Sequence, residues 1–272
     1  MPDLSYLAFQ TDFSSPVVVS AYDELPLWSA MFGLLLLDEV PLSGVRRALD
    51  VGCGTGFPLI ELAERLGSAT SVHGIDPWSA AVARAAEKVR CRATPNVTLH
   101  EGSAASLPFD DASFDLIVSN LGLNNFDDRD AVIRECARVA RSGAVLALTT
   151  NVQGHMQELY AIFEEVLAKH EPARIDALRE HIEHRATVAS VRALLENGGF
   201  AVRRVVERNA TMRFASGSAL LHHYFIKLGF LDGWKAVVRP HEEKIFPLLQ
   251  QELDARGVLS LTIPMAYVEA VR

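Results

Sequence analysis

Cysteine is scarce in this chain, with three in 272 residues. Cys53, Cys91 and Cys136 are odd in number and far apart, with neither paired metal-ligand spacing nor a disulfide framework. They read as reduced thiols, no metal site is expected, and the expected compartment is the cytoplasm. Long apolar runs are also missing. The longest, Trp28 to Leu37, covers about ten residues where a bilayer crossing needs roughly twenty, and no basic leader with a small-residue cleavage site precedes it. Positive charge is in deficit, 26 Lys and Arg against 34 Asp and Glu for a net charge of −8. That balance argues against a nucleic-acid partner, whose nonspecific binding depends on neutralised phosphates. Arg203, Arg204, Arg208 and Arg213 gather near one predicted strand and read as solvated edge residues. No internal repeat, low-complexity tract or compositional linker interrupts the chain, so its length predicts a single domain over residues 1–272.

What the sequence does contain is concentrated in Ala48-Leu49-Asp50-Val51-Gly52-Cys53-Gly54-Thr55-Gly56, an apolar strand running straight into a turn almost without side chains. Glycine accepts positive φ and lets the backbone approach a ligand, so glycines two apart after a strand predict a nucleotide cradle. Cys53 fits as the small side chain that such a turn requires. A dinucleotide fingerprint would need glycine at position 57, but Phe57 and Pro58 stand there, which disfavours a nicotinamide-dependent dehydrogenase. About twenty residues on, Ser71 to Asp76 reads as a short strand ending in a carboxylate, where a doubly wound fold places the acid that holds a ribose diol. Pro77 and Trp78 follow as an apolar platform for an adenine ring, the competing reading being a core-capping Asp, a turn Pro and a buried Trp.

Strand and helix patterns alternate regularly from Val45 to Thr150. Strands are predicted at Arg47–Val51, Ser71–Asp76, Val97–Glu101, Phe114–Asn120 and Gly143–Thr150, with amphipathic helices between, the first over Phe57–Leu66. This alternation favours a parallel sheet with right-handed crossovers. One or two helices are expected over Ser15–Leu37, with Pro26 marking a helix start or turn. Helices are predicted near His155–His170 and Arg174–His184. A third opens at Thr187, where Thr-x-x-Ser precedes Val191, Leu194 and Leu195 and Asn197-Gly198-Gly199 closes the helix. Phe200–Arg213 and Val258–Val271 read as two late strands separated by a mostly helical stretch.

Asp50-x-Gly52-x-Gly54-x-Gly56, followed by Asp76, resembles motif I and the ribose acid of the class I S-adenosylmethionine-dependent methyltransferases. The resemblance covers most of the chain and is strongest from Leu42 to Asn151. Leu107-Pro108-Phe109 and Ser113 to Asn120 are similar to the ubiquinone-type, or type 11, subgroup. The resemblance implies an α/β, Rossmann-like, doubly wound sheet of seven strands, the last antiparallel, with a helical cap over 1–41, a cofactor core over 42–151 and a helical lid near 216–257 within 152–272. It implies S-adenosylmethionine as cofactor, S-adenosylhomocysteine as product, and cofactor contacts at Asp50, Gly52, Cys53, Gly54, Gly56, Asp76, Pro77 and Trp78. Gly102, Ser103 and Ala104 fall where the family often has an adenine-binding acid, here replaced by Ser103, which bonds without charge assistance. Asn120 and Leu121 would lie under the sulfonium. Tyr22 and Trp28 either cover the methionine end or pack in the core. Arg138 to Gly143 resembles the turn before the fifth strand, and Phe214–Tyr267 is weakly similar to methyltransferases that esterify a malonyl group on a carrier protein.

Methyl transfer from a sulfonium is an in-line displacement, so the protein has chiefly to align the reactants and exclude water. A carboxylate or neutral amine acceptor needs no base, whereas a hydroxyl or an acidic carbon does. The candidate catalytic residues are His155, after the fifth strand and the best-placed base, with a solvent-facing histidine near a helix start as its plainer reading, and Asn124, after the fourth. The expected partner is a small-molecule or carrier-bound methyl acceptor. The alternative reading is a noncatalytic S-adenosylmethionine binder with a regulatory or assembly role.

Overall fold

The computed structural model describes residues 3–24 and 27–272, and Pro26, expected to mark a helix start, lies outside them. Strands β1 (Arg47–Val51), β2 (Ser71–Asp76), β3 (Val97–Glu101), β4 (Phe114–Asn120), β5 (Ala140–Asn151), β6 (Ala201–Phe214) and β7 (Leu259–Val271) form one sheet in the order β3-β2-β1-β4-β5-β7-β6. The pairs β1–β2, β1–β4, β2–β3 and β4–β5 are parallel, and β7 runs antiparallel to β5. This is the expected doubly wound sheet with an antiparallel last strand. Ala48, Leu49, Leu116, Ile117, Val118, Leu146, Ala147 and Leu148 are all buried, as strands covered on both faces require. The chain reverses between β1 and β4, and in this topology ligands bind outside the carboxyl ends of the strands at such a switch point.

Local sequence sets the helices. Before β1 lie α1 (Pro16–Glu24) and α2 (Leu27–Glu39), and α3 (Leu59–Leu66), α4 (Ser79–Arg92) and α5 (Arg129–Val139) cross over between the parallel strands. Helix α3 buries Leu59, Ile60, Leu62 and Ala63 and starts two residues later than expected. Phe57 and Pro58 stay in the turn, with Pro58 as the N-cap and the Gly56 carbonyl accepting the Ile60 N–H at 3.0 Å. Asp128 caps α5 by accepting from the Ala131 N–H at 2.8 Å. After β5 come α6 (Gln157–His170), α7 (Ile175–Glu183) and α8 (Val188–Asn197). Thr187 and Ser190 form a reciprocal capping box at the start of α8, the arrangement that Thr-x-x-Ser predicts. Between β6 and β7 the chain is helical: α9 (Gly217–His222), α10 (Tyr224–Gly229), α11 (Leu231–Val238) and α12 (Glu242–Ala255).

The turn expected over Arg138–Gly143 is not a separate element: Arg138 and Val139 end α5, and strand begins at Ala140. Register against β4 jumps from Phe114↔Ala140 to Leu116↔Val145. Gly143, at φ +81°, donates its N–H to the Arg272 carbonyl at 3.0 Å, while the Arg272 N–H bonds Ala144 O at 3.0 Å. The far end of β7 thus holds this segment in the sheet, a long-range constraint that local sequence does not carry.

The chain divides into two compact units. One comprises residues 12–151, 187–208 and 265–272 and holds β1 to β5 with α1 to α5 and α8. Within it Asp23 ties α1 to α4 through Arg84 at 2.9 Å and Lys88 at 2.6 Å, and α2 packs on β4 and β5. Arg204 and Arg208 pair with Glu39, exposed contacts worth about 1 kcal/mol or less. The other unit comprises 1–11, 152–186 and 209–264; its helices bury Phe163, Trp234, Phe246 and Leu249. Among the described residues no helix is long and apolar enough to cross a membrane.

On β2 and β3, His73 and His100 stack with ring centroids 5.4 Å apart. His73 Nδ1 lies 3.1 Å from His100 Nε2, and His73 Nε2 lies 3.0 Å from Ser71 Oγ. A ring-to-ring bond needs one donor and one acceptor, so at least one of the two imidazoles is neutral while it stands. Burial first, then Arg47 and His100, push His73 from 6.5 down to about 4. A depressed histidine contributes stability that is present above the unfolded value and lost as pH falls through the folded one. Thermal unfolding should therefore show the wild type losing Tm relative to His73→Gln as pH drops from about 6.5 to about 4. Parallel curves for the two proteins across that window would refute this account.

Candidate functional site

The cradle begins where β1 ends. Gly52, Gly54 and Gly56 adopt φ values of +81°, +51° and +97°, which costs a non-glycine residue roughly 1–2 kcal/mol at each position. The N–H groups of Gly52 and Cys53 donate to Ile75 O at 2.9 and 3.1 Å, hooking the turn onto the end of β2. The Gly54 N–H donates to Asp76 Oδ2 at 2.8 Å, and the Trp78 N–H donates to Asp76 Oδ1 at 2.9 Å. Asp76 therefore holds the glycine turn and the start of α4 together. A carboxylate offers about four lone-pair sites, so capacity for two further donors remains. Burial raises the Asp76 carboxyl above the ordinary value, opposed by the N–H bonds from Trp78 and Gly54.

Behind the turn lies Asp50, fully buried, with neither carboxyl oxygen hydrogen-bonded to any described residue. Burial, and then the nearby Asp76 charge, push its carboxyl up to about 8. Such an orphaned acid is costly in a protein interior unless a cation arrives to meet it. The turn itself borders open space, since a Cβ added at Gly54 would meet nothing within 4 Å. Elsewhere the cradle is tightly floored. A Cβ on Gly122 would collide with Ser119 Oγ, come within 2.6 Å of Phe126 and sit 3.1 Å from Val51 O. Ser119 Oγ itself donates to Val51 O at 2.7 Å. Cys53 is buried and its sulfur fills the space over Gly74, in keeping with a packing role for that thiol.

Aromatic groups from the N-terminal segment stand against the end of β2. Trp78 donates its indole N–H to Phe13 O at 2.6 Å and is flanked edge-on by Phe13 at 5.6 Å and Tyr22 at 5.4 Å. Burial, then Asp76 and Asp23, raise the Tyr22 phenol, which places Tyr22 within electrostatic reach of the β2 acid. Trp28, on α2, is buried and packs on Phe32 at 5.3 Å. Pro77 is exposed. The Gly102 N–H bonds Asp76 O at 3.1 Å, and Ser103 Oγ caps its own turn by accepting from the Ala105 N–H at 3.2 Å, with Ala104 buried beside it.

Asn120 and Leu121 close β4. Asn120 Oδ1 accepts from Thr149 Oγ1 at 2.7 Å, and its Nδ2 donates to Ser29 O at 3.1 Å, so the amide bolts β4 to β5 and α2. Leu121 takes the left-handed conformation at φ +64°, strain of a kind that concentrates at functional sites. Asn124 Oδ1 accepts from Thr150 Oγ1 at 2.6 Å. These residues share one unit with the cradle. His155 belongs to the other unit. It is buried rather than solvent-facing, with Phe230 at 5.1 Å and Tyr160 at 6.5 Å. Burial, then Arg185 and His181, hold it well below the ordinary histidine value, so its imidazole is neutral.

Glu101, absent from the residues singled out above, ends β3 in register with Asp76 and accepts from Ser79 Oγ at 2.5 Å. The signal was available: β1, β2 and β3 each carry an acid at or next to the last residue, Asp50, Asp76 and Glu101. Ser119 carries no sequence signal as floor of the turn, because its role depends on a contact with Val51 across the sheet.

The raised Asp50 pKa has a stability consequence. A carboxyl that holds its proton more tightly when folded contributes stability below its unfolded value of 3.8, and this is lost as pH rises through about 8,. Asp50→Asn should unfold at higher urea than the wild type, with the gap widening between those two pH values. A constant gap would show that the carboxyl does not titrate in this window.

A family model described as a methyltransferase domain matches residues 43–213. The chain is 39% identical over 125 residues to a demethylmenaquinone methyltransferase of Anoxybacillus flavithermus, covering 44% of this chain and 53% of that protein. It is 30% identical over 193 residues to the enzyme of the same name from Lysinibacillus sphaericus, covering 67% of this chain and 79% of that one. The chain thus spans about half the length of the first of these curated relatives. A solved S-adenosylmethionine-dependent methyltransferase of Aquifex aeolicus shares the fold at TM-score 0.56 and 18% identity, over 95% of this chain and 99% of that one. The chain belongs to the methyltransferase domain family, of the class I S-adenosylmethionine-dependent kind that its glycine turn resembles.

Proposed function

We propose that this chain is an enzyme that binds S-adenosylmethionine in the Asp50–Gly56 cradle and transfers its methyl group to a small-molecule or carrier-bound acceptor. The observation that carries the reading is the pair of carboxyls at the switch point. Asp50 is buried without a hydrogen-bond partner among the described residues, and Asp76 is fixed by two backbone N–H groups with acceptor capacity to spare. The first suits a cationic amine and the second a ribose diol, whose hydroxyls would add charge-assisted bonds. Gly52, Gly54 and Gly56 let the backbone approach the ligand. Tyr22, Pro77, Trp78 and the Gly102–Ala104 turn supply apolar and polar surface for the nucleoside, and Trp28, Asn120 and Leu121 line the methionine side.

S-adenosylmethionine supplies the electrophilic methyl. The chain's own task is to align it with the acceptor and exclude water, and orientation of this kind is worth roughly 7–11 kcal/mol. We assign the acceptor's polar contacts to Asn124, in the same unit as the cradle. The relatives' names make demethylmenaquinone the first acceptor to assay.

Titration calorimetry should show one S-adenosylmethionine per chain, with Asp76→Ala weakening it tenfold or more, on the order of 1.4 kcal/mol. Absence of binding, or an unaffected Asp76→Ala, would remove the reading. Gly54→Ala should lose affinity while its melting curve falls only by the roughly 1–2 kcal/mol cost of left-handed backbone, because its methyl would meet only open space. Release of S-adenosylhomocysteine in an acceptor screen separates this reading from noncatalytic binding.

A further inference from the structure

Both oxygens of Asp50 are sealed from solvent and from every hydrogen-bond donor among the described residues, so the ionised form has nothing to stabilise it. The titratable groups facing it are acids: Asp76 from β2, and the Cys53 thiol from the turn itself. Its register partners on either side are Gly74 of β2 and Val118 of β4, which bring no charge. No cation of the described residues offsets the burial. Asp76 differs, because the N–H groups of Gly54 and Trp78 bond both of its oxygens and favour its charged form. The two carboxyls thus differ in surroundings: burial raises both, and only Asp76 has donors that oppose the rise,.

Resting on the S-adenosylmethionine reading of the cradle, we propose that Asp50 is protonated in the free protein and releases that proton to solvent when the cofactor's ammonium arrives, so that cofactor capture is proton-linked. The carboxyl O–H bond breaks, the proton passes to buffer, and the carboxylate left behind pairs with the ammonium, which keeps all its hydrogens. No electrons are exchanged. Binding then tightens as pH rises, with the burial of Asp50 setting the window. In the bound state the acid that weakens the free fold has acquired its partner.

The test is calorimetry of S-adenosylmethionine with the full chain near pH 6.5, in buffers of different ionisation enthalpy. This pH lies below the ordinary α-amino value of about 7.7–8.0, so the ligand's own amine stays charged throughout. The expected result is release of close to one proton per ligand, with affinity rising toward tenfold per pH unit between about pH 5.5 and 7. Asp50→Asn, which keeps the shape without the titration, should bind with no proton release and a flat pH dependence. 5′-Methylthioadenosine, which lacks the ammonium, should bind the wild type without releasing a proton. Wild-type binding without proton release and with pH-independent affinity overturns the proposal and leaves the cofactor reading standing. No binding at any pH overturns the cofactor reading itself. Should Asp50→Asn fail to fold, the wild-type buffer series and the 5′-methylthioadenosine comparison still decide the matter.

Discussion

The carboxylate of Asp76 takes the Gly54 N–H on one oxygen and the Trp78 N–H on the other, and the geometry of the cradle depends on those two bonds. One belongs to the turn after β1 and the other to the entry of α4, so a single side chain sets the gap between two loops at the sheet's switch point. The Ile75 carbonyl reinforces it by accepting from Gly52 and Cys53. From Trp78 the order spreads outward, through its indole N–H to Phe13 and its ring to Tyr22, and the N-terminal segment is drawn against the end of β2. Asp23, next to Tyr22, anchors the same segment to α4. Ligand capacity and local stability therefore share the same atoms.

Asp50 works in the opposite sense. Its burial without a partner opposes folding, and the sheet tolerates it because β1 is held by β2 and β4 on either side and packed on both faces. Proteins commonly carry such local cost where function requires it. The left-handed glycines and Leu121 belong to the same pattern of strain gathered at one end of the sheet. The opposite tendency is seen in the His73–His100 pair, where burial is matched by hydrogen bonds.

Much of the sheet was legible because its signals are local. Arg47–Val51, Ser71–Asp76, Val97–Glu101 and Phe114–Asn120 are short segments bounded by turn residues and alternating with helical stretches, and the structure has strands at those positions. The glycine turn was legible for the same reason, since three left-handed residues at alternate positions strongly favour glycine,. Phe57 is a packing residue, its ring lying so close over Gly33 that no Cβ would fit there. Less legible was Asn120. Its place at the end of β4 was clear, but its bonds to Thr149 and Ser29 depend on elements 29 and 91 residues away. His155 read as a histidine near a helix start, whereas its burial comes from Phe230 and Tyr160, and Phe230 lies far along the chain.

The sequence by itself determined the period of each strand, the capping box at Thr187, the glycine positions and the acids at the ends of β1 and β2, because backbone conformation and alternating burial are properties of neighbouring residues. Only the tertiary structure decided that Asp76 is bonded twice while Asp50 is bonded to no described residue, and that Arg138–Gly143 runs into the sheet, held by Arg272, rather than forming a turn. The two acids are of one residue type and each sits at the end of its strand. What separates them is the set of donors that folding brings to each, and a hydrogen bond forms between atoms that are near in space, wherever they lie along the chain.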